Sequence, residues 1–244
     1  KEVNDRMRHT AEGLGTYDRI LSKYKKMLCL RKDKLYFVRG TFTKYNLDFT
    51  NDVLHLADLG FKNISMEPVV VDEQIDYGIG YEDLPKVFEE YEKLAEAYLD
   101  RKDEENEFTF FHFLIDLNQG PCVIKRLAGC GAGTEYLAIT PEGDMYPCHQ
   151  FVGDSDFKMG NVFENTLDRN IGLQFKEAHV YNKKDCQSCW AKFYCSGGCH
   201  ANAYQFNKDI QKPYQIGCEM EKKRIECALA IQAKLLAKEG LEND

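Results

Sequence analysis

Along residues 16–28 the apolar positions Tyr17, Ile20, Leu21, Tyr24 and Leu28 recur every three or four residues, so this stretch is predicted to be an amphipathic helix. Cys29, at the end of the stripe, is expected to be a buried structural thiol. Residues 34–43, K-L-Y-F-V-R-G-T-F-T, are rich in aromatic and β-branched side chains and read as a strand. Thr50, Asn51 and Asp52 offer N-caps to a helix through Val53, Leu54, Leu56, Ala57 and Leu59, which Gly60 stops. Residues 63–71, N-I-S-M-E-P-V-V-V, are a second strand, and residues 82–101 form a long amphipathic helix with a solvated charged face. Strand, helix, strand, helix is the order of parallel βαβ units.

Residues 108–117 are apolar almost throughout, and periodicity alone leaves them either strand or helix. The turn Asn118-Gln119-Gly120-Pro121 ends them, which places a domain boundary between 118 and 119. Beyond it the chain changes to short strands, turns and cysteines. Residues 136–140 and 145–148 flank Pro141-Glu142-Gly143-Asp144 and predict a β-hairpin. Residues 154–161 read as polar loop, 166–178 as a short helix and 219–239 as a closing helix, in which Cys227 is a packing residue.

Composition narrows the classes. The 244 residues are 43% hydrophobic and 30% charged, as in a globular protein. A net charge of −8 excludes a non-specific nucleic-acid binder, and no apolar run is long enough to span a membrane. The chain opens at Lys1 without a methionine, and two βα units make no self-sufficient barrel. It is therefore expected to be part of a longer polypeptide. The 10 cysteines are clustered among Gly, Pro and aromatic residues, which fits a cytoplasmic metal-cluster protein better than a disulfide scaffold.

Cys186, Cys189, Cys195 and Cys199 fall in the run C-Q-S-C-W-A-K-F-Y-C-S-G-G-C; Cys218 follows, and Cys130 and Cys148 precede. Thiolate sulfur is the soft ligand of zinc, copper(I) and iron–sulfur centres. Zinc prefers two short knuckles, and only Cys186/Cys189 is one. Clusters accept irregular spacing because their ligands surround a larger body. Seven thiols suit two clusters with one open corner, for which Cys122 is a candidate. Trp190, Phe193 and Tyr194 are expected to keep water from them, and Cys218 to stand just before the last helix, at the positive end of its dipole.

The offsets of Cys130, Gly143, Cys148, the C-x2-C-x5-C-x3-C run and Cys218 resemble the SPASM domain of radical SAM enzymes, over residues 122–227. The first half is similar to the later strands and helices of a radical SAM partial barrel. The wordings V-R-G-T-F-T-K-Y-N-L-D-F, E-P-V-V, D-L-N-Q-G-P-C and C-H-Q-F-V-G resemble thioether-forming maturases of cysteine-rich, SCIFF-type peptides. Anaerobic sulfatase maturases are more distant relatives. The resemblance implies an α/β TIM-like partial-barrel fragment (1–118) followed by an α+β SPASM domain (119–244) with two [4Fe–4S] clusters. It assigns Cys186, Cys189, Cys195 and Cys218 to an outer cluster, and Cys130, Cys148 and Cys199 to an inner one, with Cys122 open as its fourth ligand. It also implies S-adenosylmethionine and a third [4Fe–4S] cluster in the full-length enzyme, since this chain has no C-x3-C-x2-C motif and is expected not to cleave SAM.

Arg39 and Glu67 are expected near the C-terminal ends of their strands, as SAM or substrate contacts or as structural charges. His149 stands where sulfatase maturases carry an acid. It is either a proton-transfer group or a hydrogen-bonded histidine, and His200 is expected beside a ligand rather than as one. The resemblance implies as partners a cysteine-rich precursor peptide, the N-terminal remainder of the enzyme and a reductant such as flavodoxin or ferredoxin. The reading of the whole is a peptide maturase. A sulfatase-type maturase and a structural zinc- or cluster-binding module are the alternatives.

Overall fold

The computed structural model describes residues 1–31, 34–72, 74–115, 117 and 127–242. These form two compact units, residues 1–79 with 92–111 and residues 80–91 with 112–244. The expected boundary at 118/119, its turn and Cys122 lie outside the described residues.

In the first unit α1 (Glu2–Met7) and α2 (Tyr17–Arg31) precede a three-stranded parallel sheet. Its strands are β1 (Val38–Phe42), β2 (Asn63–Pro68) and β3 (Thr109–Phe110), in that order, with Val38 opposite Ile64 and Ile64 opposite Phe110. The connection from β1 to β2 is α3 (Phe49–Asp58). This helix begins earlier than its polar trio suggested, and the reason lies in a turn at 43–46. Asn46 Oδ1 accepts from the backbone N–H and hydroxyl of Thr43, while its amide donates to Asp52, so Asp52 is engaged by a side chain rather than capping the helix. Gly60 ends α3 as expected, at φ +93, where only glycine is unstrained. Phe42 stacks on Phe49 at 4.3 Å, and Val53, Phe61, Ile64 and Phe110 are fully buried around them. Each such side chain contributes roughly 1.5–3 kcal/mol. Cys29, contrary to expectation, is exposed, because no residue of α2 is buried.

The ambiguous stretch 108–117 resolves into β3 and a 3-10 turn over Phe111–Phe113. Among the described residues of this stretch, Thr109 and Phe110 pair with β2. The long helix is α4 (Leu84–Asp100), entered through a turn whose Asp83 carboxylate accepts the Gly80 N–H.

The second unit holds an antiparallel sheet, β4 (Ala138–Ile139), β5 (Asp144–Tyr146), β6 (Gly160–Asn161) and β7 (Thr166–Leu167). The predicted hairpin is there, with Ala138 opposite Tyr146. The stretch expected to be all polar loop supplies β6, and the helix expected from 166 starts later, as α5 (Arg169–Glu177), because 166–167 pair with β6 and Asp168 caps the helix. Short helices α6 (Lys184–Gln187), α7 (Lys192–Cys195) and α8 (His200–Asn207) follow, then α9 (Gln215–Glu242). Phe151, Phe157, Phe175 and Tyr204 make an aromatic core, with Phe151–Phe157 centroids at 4.3 Å and Phe157 edge-on to Tyr204 at 4.7 Å. Cys227 is buried in α9.

Candidate metal centre

Most of the predicted ligands in the second unit stand in or beside short elements. Cys148 precedes the 3-10 turn at His149–Phe151, Cys186 lies in α6, Cys195 closes α7 and Cys199 is the N-cap of α8. Cys189 N–H donates to the Cys186 carbonyl, forming the knuckle between α6 and α7. Cys218 lies inside the first turn of α9, not ahead of it, since the helix begins at Gln215. Between Cys195 and Cys199 the chain reverses through Ser196 (φ 60), Gly197 (φ 86) and Gly198 (φ 71).

Electrostatics sorts the thiols into two neighbourhoods. Burial raises the Cys148 thiol above its ordinary range, and Cys199 and Cys130 raise it further. Burial, then the same three sulfurs, push the Tyr136 hydroxyl up to about 12, and this hydroxyl donates to Cys130 Sγ at 3.9 Å. Gln150 Nε2 donates to Cys199 Sγ at 4.0 Å. Tyr136, His149 and Gln150 are all exposed, so the three-cysteine set opens to solvent on that side. The other neighbourhood is more enclosed. Burial first, then Glu221, Cys218 and Cys186, push Cys195 up to about 12. Burial, then Cys186 and Cys189, push Cys218 up to about 11, and burial raises Cys186 beside Cys189.

Raised thiols are protonated near neutrality, so a bound metal must displace their protons. Among the described residues no three His, Cys, Asp or Glu side chains converge closely enough for a single metal ion. A lone zinc draws its sulfurs to about 2.3 Å. A cubane spreads its ligands around a larger body, and two sets of neighbouring but non-convergent thiols suit that donor chemistry.

Two residues that sequence reading did not weigh, or weighed lightly, are buried close to the predicted ligands in sequence. Lys183 is 0% exposed, and its Nζ donates to the Gly197 carbonyl at 2.8 Å. Burial lowers its pKa, against the opposing influence of Cys186, Cys195, Cys199 and Cys218. In N-K-K-D-C it looks like one more surface charge; nothing local marks it as buried. His200, 2% exposed, meets the Ala178 carbonyl at 3.0 Å through Nε2, and burial and Lys183 depress its pKa to about 4.

Other expectations fare differently. Trp190 is 55% exposed in the turn between α6 and α7, so the shielding expected of it is not supplied by this side chain. His149 is exposed, directly after Cys148. Arg39 is the second residue of β1, opposite Ser65, and so sits near the start of the strand rather than its C-terminal end, because β1 begins at Val38. It lines a cleft of about 440 Å³ with Tyr17, Thr43, Asp52, His55 and Tyr77. Glu67 does lie near the C-terminal end of β2, half-buried and opposite Thr41, and does not line that cleft. The structure therefore does not bring Arg39 and Glu67 to a shared cleft.

Comparison with known proteins gives three findings. Residues 130–190 match the SPASM family, an iron–sulfur cluster-binding domain. Over 110 residues the chain is 31% identical to the serine-type anaerobic sulfatase-maturating enzyme of Klebsiella aerogenes, covering 38% of this chain and 25% of that protein. Over 95 residues it is 30% identical to the antilisterial bacteriocin subtilosin biosynthesis protein AlbA of Bacillus subtilis (strain 168), covering 36% of this chain and 20% of that protein. The matches thus span about a quarter or less of these relatives' lengths. A solved structure of native anSMEcpe with bound AdoMet and Cp18Cys peptide shares the fold at TM-score 0.73 and 16% identity, over 98% of this chain and 67% of that one. The likeness has two parts: a SPASM iron–sulfur cluster-binding domain at residues 130–190 and, along 98% of the chain, the fold of anSMEcpe.

Proposed function

We propose that this chain is the part of a radical SAM peptide maturase that carries two auxiliary [4Fe–4S] clusters, and that the enzyme forms thioether bonds between cysteine sulfur and carbon in a cysteine-rich ribosomal peptide. The observation that carries this reading is the division of the thiols. Cys186, Cys189, Cys195 and Cys218 neighbour one another as a complete set of four, while Cys130, Cys148 and Cys199 form a set of three on an exposed face. Cys122, the candidate fourth ligand of the smaller set, lies outside the described residues.

In this assignment the four-cysteine set holds the outer cluster and the three-cysteine set the inner one. When bound, the clusters supply an iron corner for a substrate thiolate and an acceptor for one electron. The chain's own residues do the rest. Tyr136 and Gln150 donate to the sulfurs of Cys130 and Cys199, reducing the charge those sulfurs carry. His149, exposed directly after Cys148, is assigned the proton of the peptide's thiol, a role its exposure supports. Arg39, in the first unit, is assigned a SAM or substrate contact through its cleft, and Glu67 the same role from the end of β2.

A sulfatase-type maturase is the second reading, favoured by the 31% identity to the Klebsiella enzyme. His149 argues against it, since the resemblance implies an acid at this position in those maturases. Anaerobic reconstitution tests the cluster assignment: iron and sulfide near 8 each with a brown chromophore are expected for two cubanes. One or two zinc ions without colour would replace the reading with a structural module. The full-length enzyme with SAM, reductant and a cysteine-rich peptide separates the maturases. Thioether formation removes an alkylatable thiol, whereas aldehyde formation on serine leaves the thiols free and creates a hydrazide-reactive carbonyl.

A further inference from the structure

Lys183 is the most conspicuous buried charge of the second unit. Its backbone is fixed at both ends: its N–H donates to the His179 carbonyl at 3.0 Å and its carbonyl accepts the Cys186 N–H at 2.9 Å. The side chain is fully buried, and its ammonium has one described acceptor, the Gly197 carbonyl in the turn between Cys195 and Cys199. No carboxylate is among its described partners. Its electrostatic neighbours are instead the sulfurs of Cys186, Cys195 and Cys218 from the four-cysteine set and of Cys199 from the three-cysteine set.

Burying an ammonium without a countercharge is among the costliest arrangements a fold can make, and such charges are found paired. Among its described electrostatic neighbours the groups able to supply negative charge are the thiols, and they do so when deprotonated as ligands. We propose that Lys183 is the fixed countercharge shared by the two cluster sites, and that its ammonium holds their reduction potential up. The inference rests on the reading that these cysteines hold clusters. Its physical basis is simple: reduction adds one negative charge to a cluster, and a cation fixed nearby in low dielectric favours the more negative state. Because Lys183 neighbours sulfurs of both sets, it would favour the reduced state at either site. It acts through its charge on the clusters and not on substrate, so it is a positioning residue in the electrostatic sense.

The test uses the anaerobically reconstituted chain, its Lys183→Met variant (equally unbranched, uncharged) and its Lys183→Arg variant (charge kept). Iron and sulfide are counted, and the clusters are titrated electrochemically with detection by electron paramagnetic resonance. In Lys183→Met, iron is expected near the wild-type value, and at the wild-type midpoint the ratio of reduced to oxidised cluster should fall at least tenfold, ~59 mV for a one-electron couple. An unchanged midpoint at unchanged iron overturns the proposal, since a hydrogen-bonding strut for Gly197 would leave the potential alone. If Lys183→Met loses its iron, the arginine variant decides. Iron retained with arginine supports a requirement for charge, whereas equal loss in both variants overturns it. Wild-type chain that takes up no iron fails at an earlier step, removing the cluster assignment and this proposal together, and is recognised because all three proteins then stay colourless.

Discussion

Gly143→Ala is expected to destabilise the second unit by about 2 kcal/mol, through backbone strain rather than crowding. Gly143 closes the hairpin turn between β4 and β5 at φ +86, with its N–H on the Thr140 carbonyl at 2.9 Å and its carbonyl accepting Val162 N–H at 2.9 Å. A Cβ here would meet Phe163 Cδ2 at 2.5 Å and Asn161 Oδ1 at 3.0 Å. The two neighbours are not equivalent. Phe163 is 78% exposed and can swing away at little cost. Asn161 cannot, because its amide donates to the Glu142 carbonyl and Asp144 carboxylate at 2.9 and 2.8 Å, and its Oδ1 accepts the Phe163 N–H at 2.8 Å. Left-handed backbone costs an alanine roughly 1–2 kcal/mol, and the close approach to the pinned Asn161 adds up to about 1 kcal/mol. For a chain of this size that total lowers Tm by about 4–8 °C. Thermal unfolding of Gly143→Ala, Phe163→Ala and the double variant measures it. Phe163→Ala alone should be nearly neutral, and the coupling between the two changes should stay below about 0.5 kcal/mol. Recovery of most of the loss in the double variant would show that the ring was the obstacle and refute the strain argument; so would a neutral Gly143→Ala.

Cys189→Ala is expected to lose much of the iron taken up on reconstitution, because ligand binding is coupled to folding, whereas Cys227→Ala, buried in α9, should keep its iron and lose only about 1 kcal/mol. Equal iron loss in the two variants would undo the ligand assignment. Asp52→Asn should raise Tm at pH 7. Burial raises the Asp52 pKa in the fold, so the folded state holds that proton more tightly than the unfolded one. Stability is therefore lost as pH rises from the ordinary carboxylate range through the raised pKa, the deficit persists at neutrality, and the amide removes it while an amide oxygen still accepts from Asn46. A lower Tm at pH 7 would contradict this sign. The reconstituted chain with SAM and a strong reductant should form no 5′-deoxyadenosine, since the chain lacks the C-x3-C-x2-C motif; production above a protein-free control would show that one of the clusters assigned here as auxiliary cleaves SAM.

The sequence by itself determined the features whose cause is local or compositional. The apolar period carries α2, α3 and α4, and the turn Pro141-Glu142-Gly143-Asp144 carries its hairpin. Local signals weakened where pairing partners lie far along the chain. Thr166 and Leu167 leave the expected helix because β6 offers them a ladder, and the Phe108 stretch becomes a two-residue strand, opposite Asn63 and Ile64, that gives way to a 3-10 turn at Phe111–Phe113. Burial was the least legible property. An apolar stripe in α2 left Cys29 exposed, an aromatic Trp190 stayed largely in solvent, and a lysine in a run of charges became the most enclosed cation beside the thiols. Spacing names a ligand, but only the tertiary structure decides which ligands neighbour one another and which charge is shut in with them, because both depend on packing between segments that sequence order keeps apart.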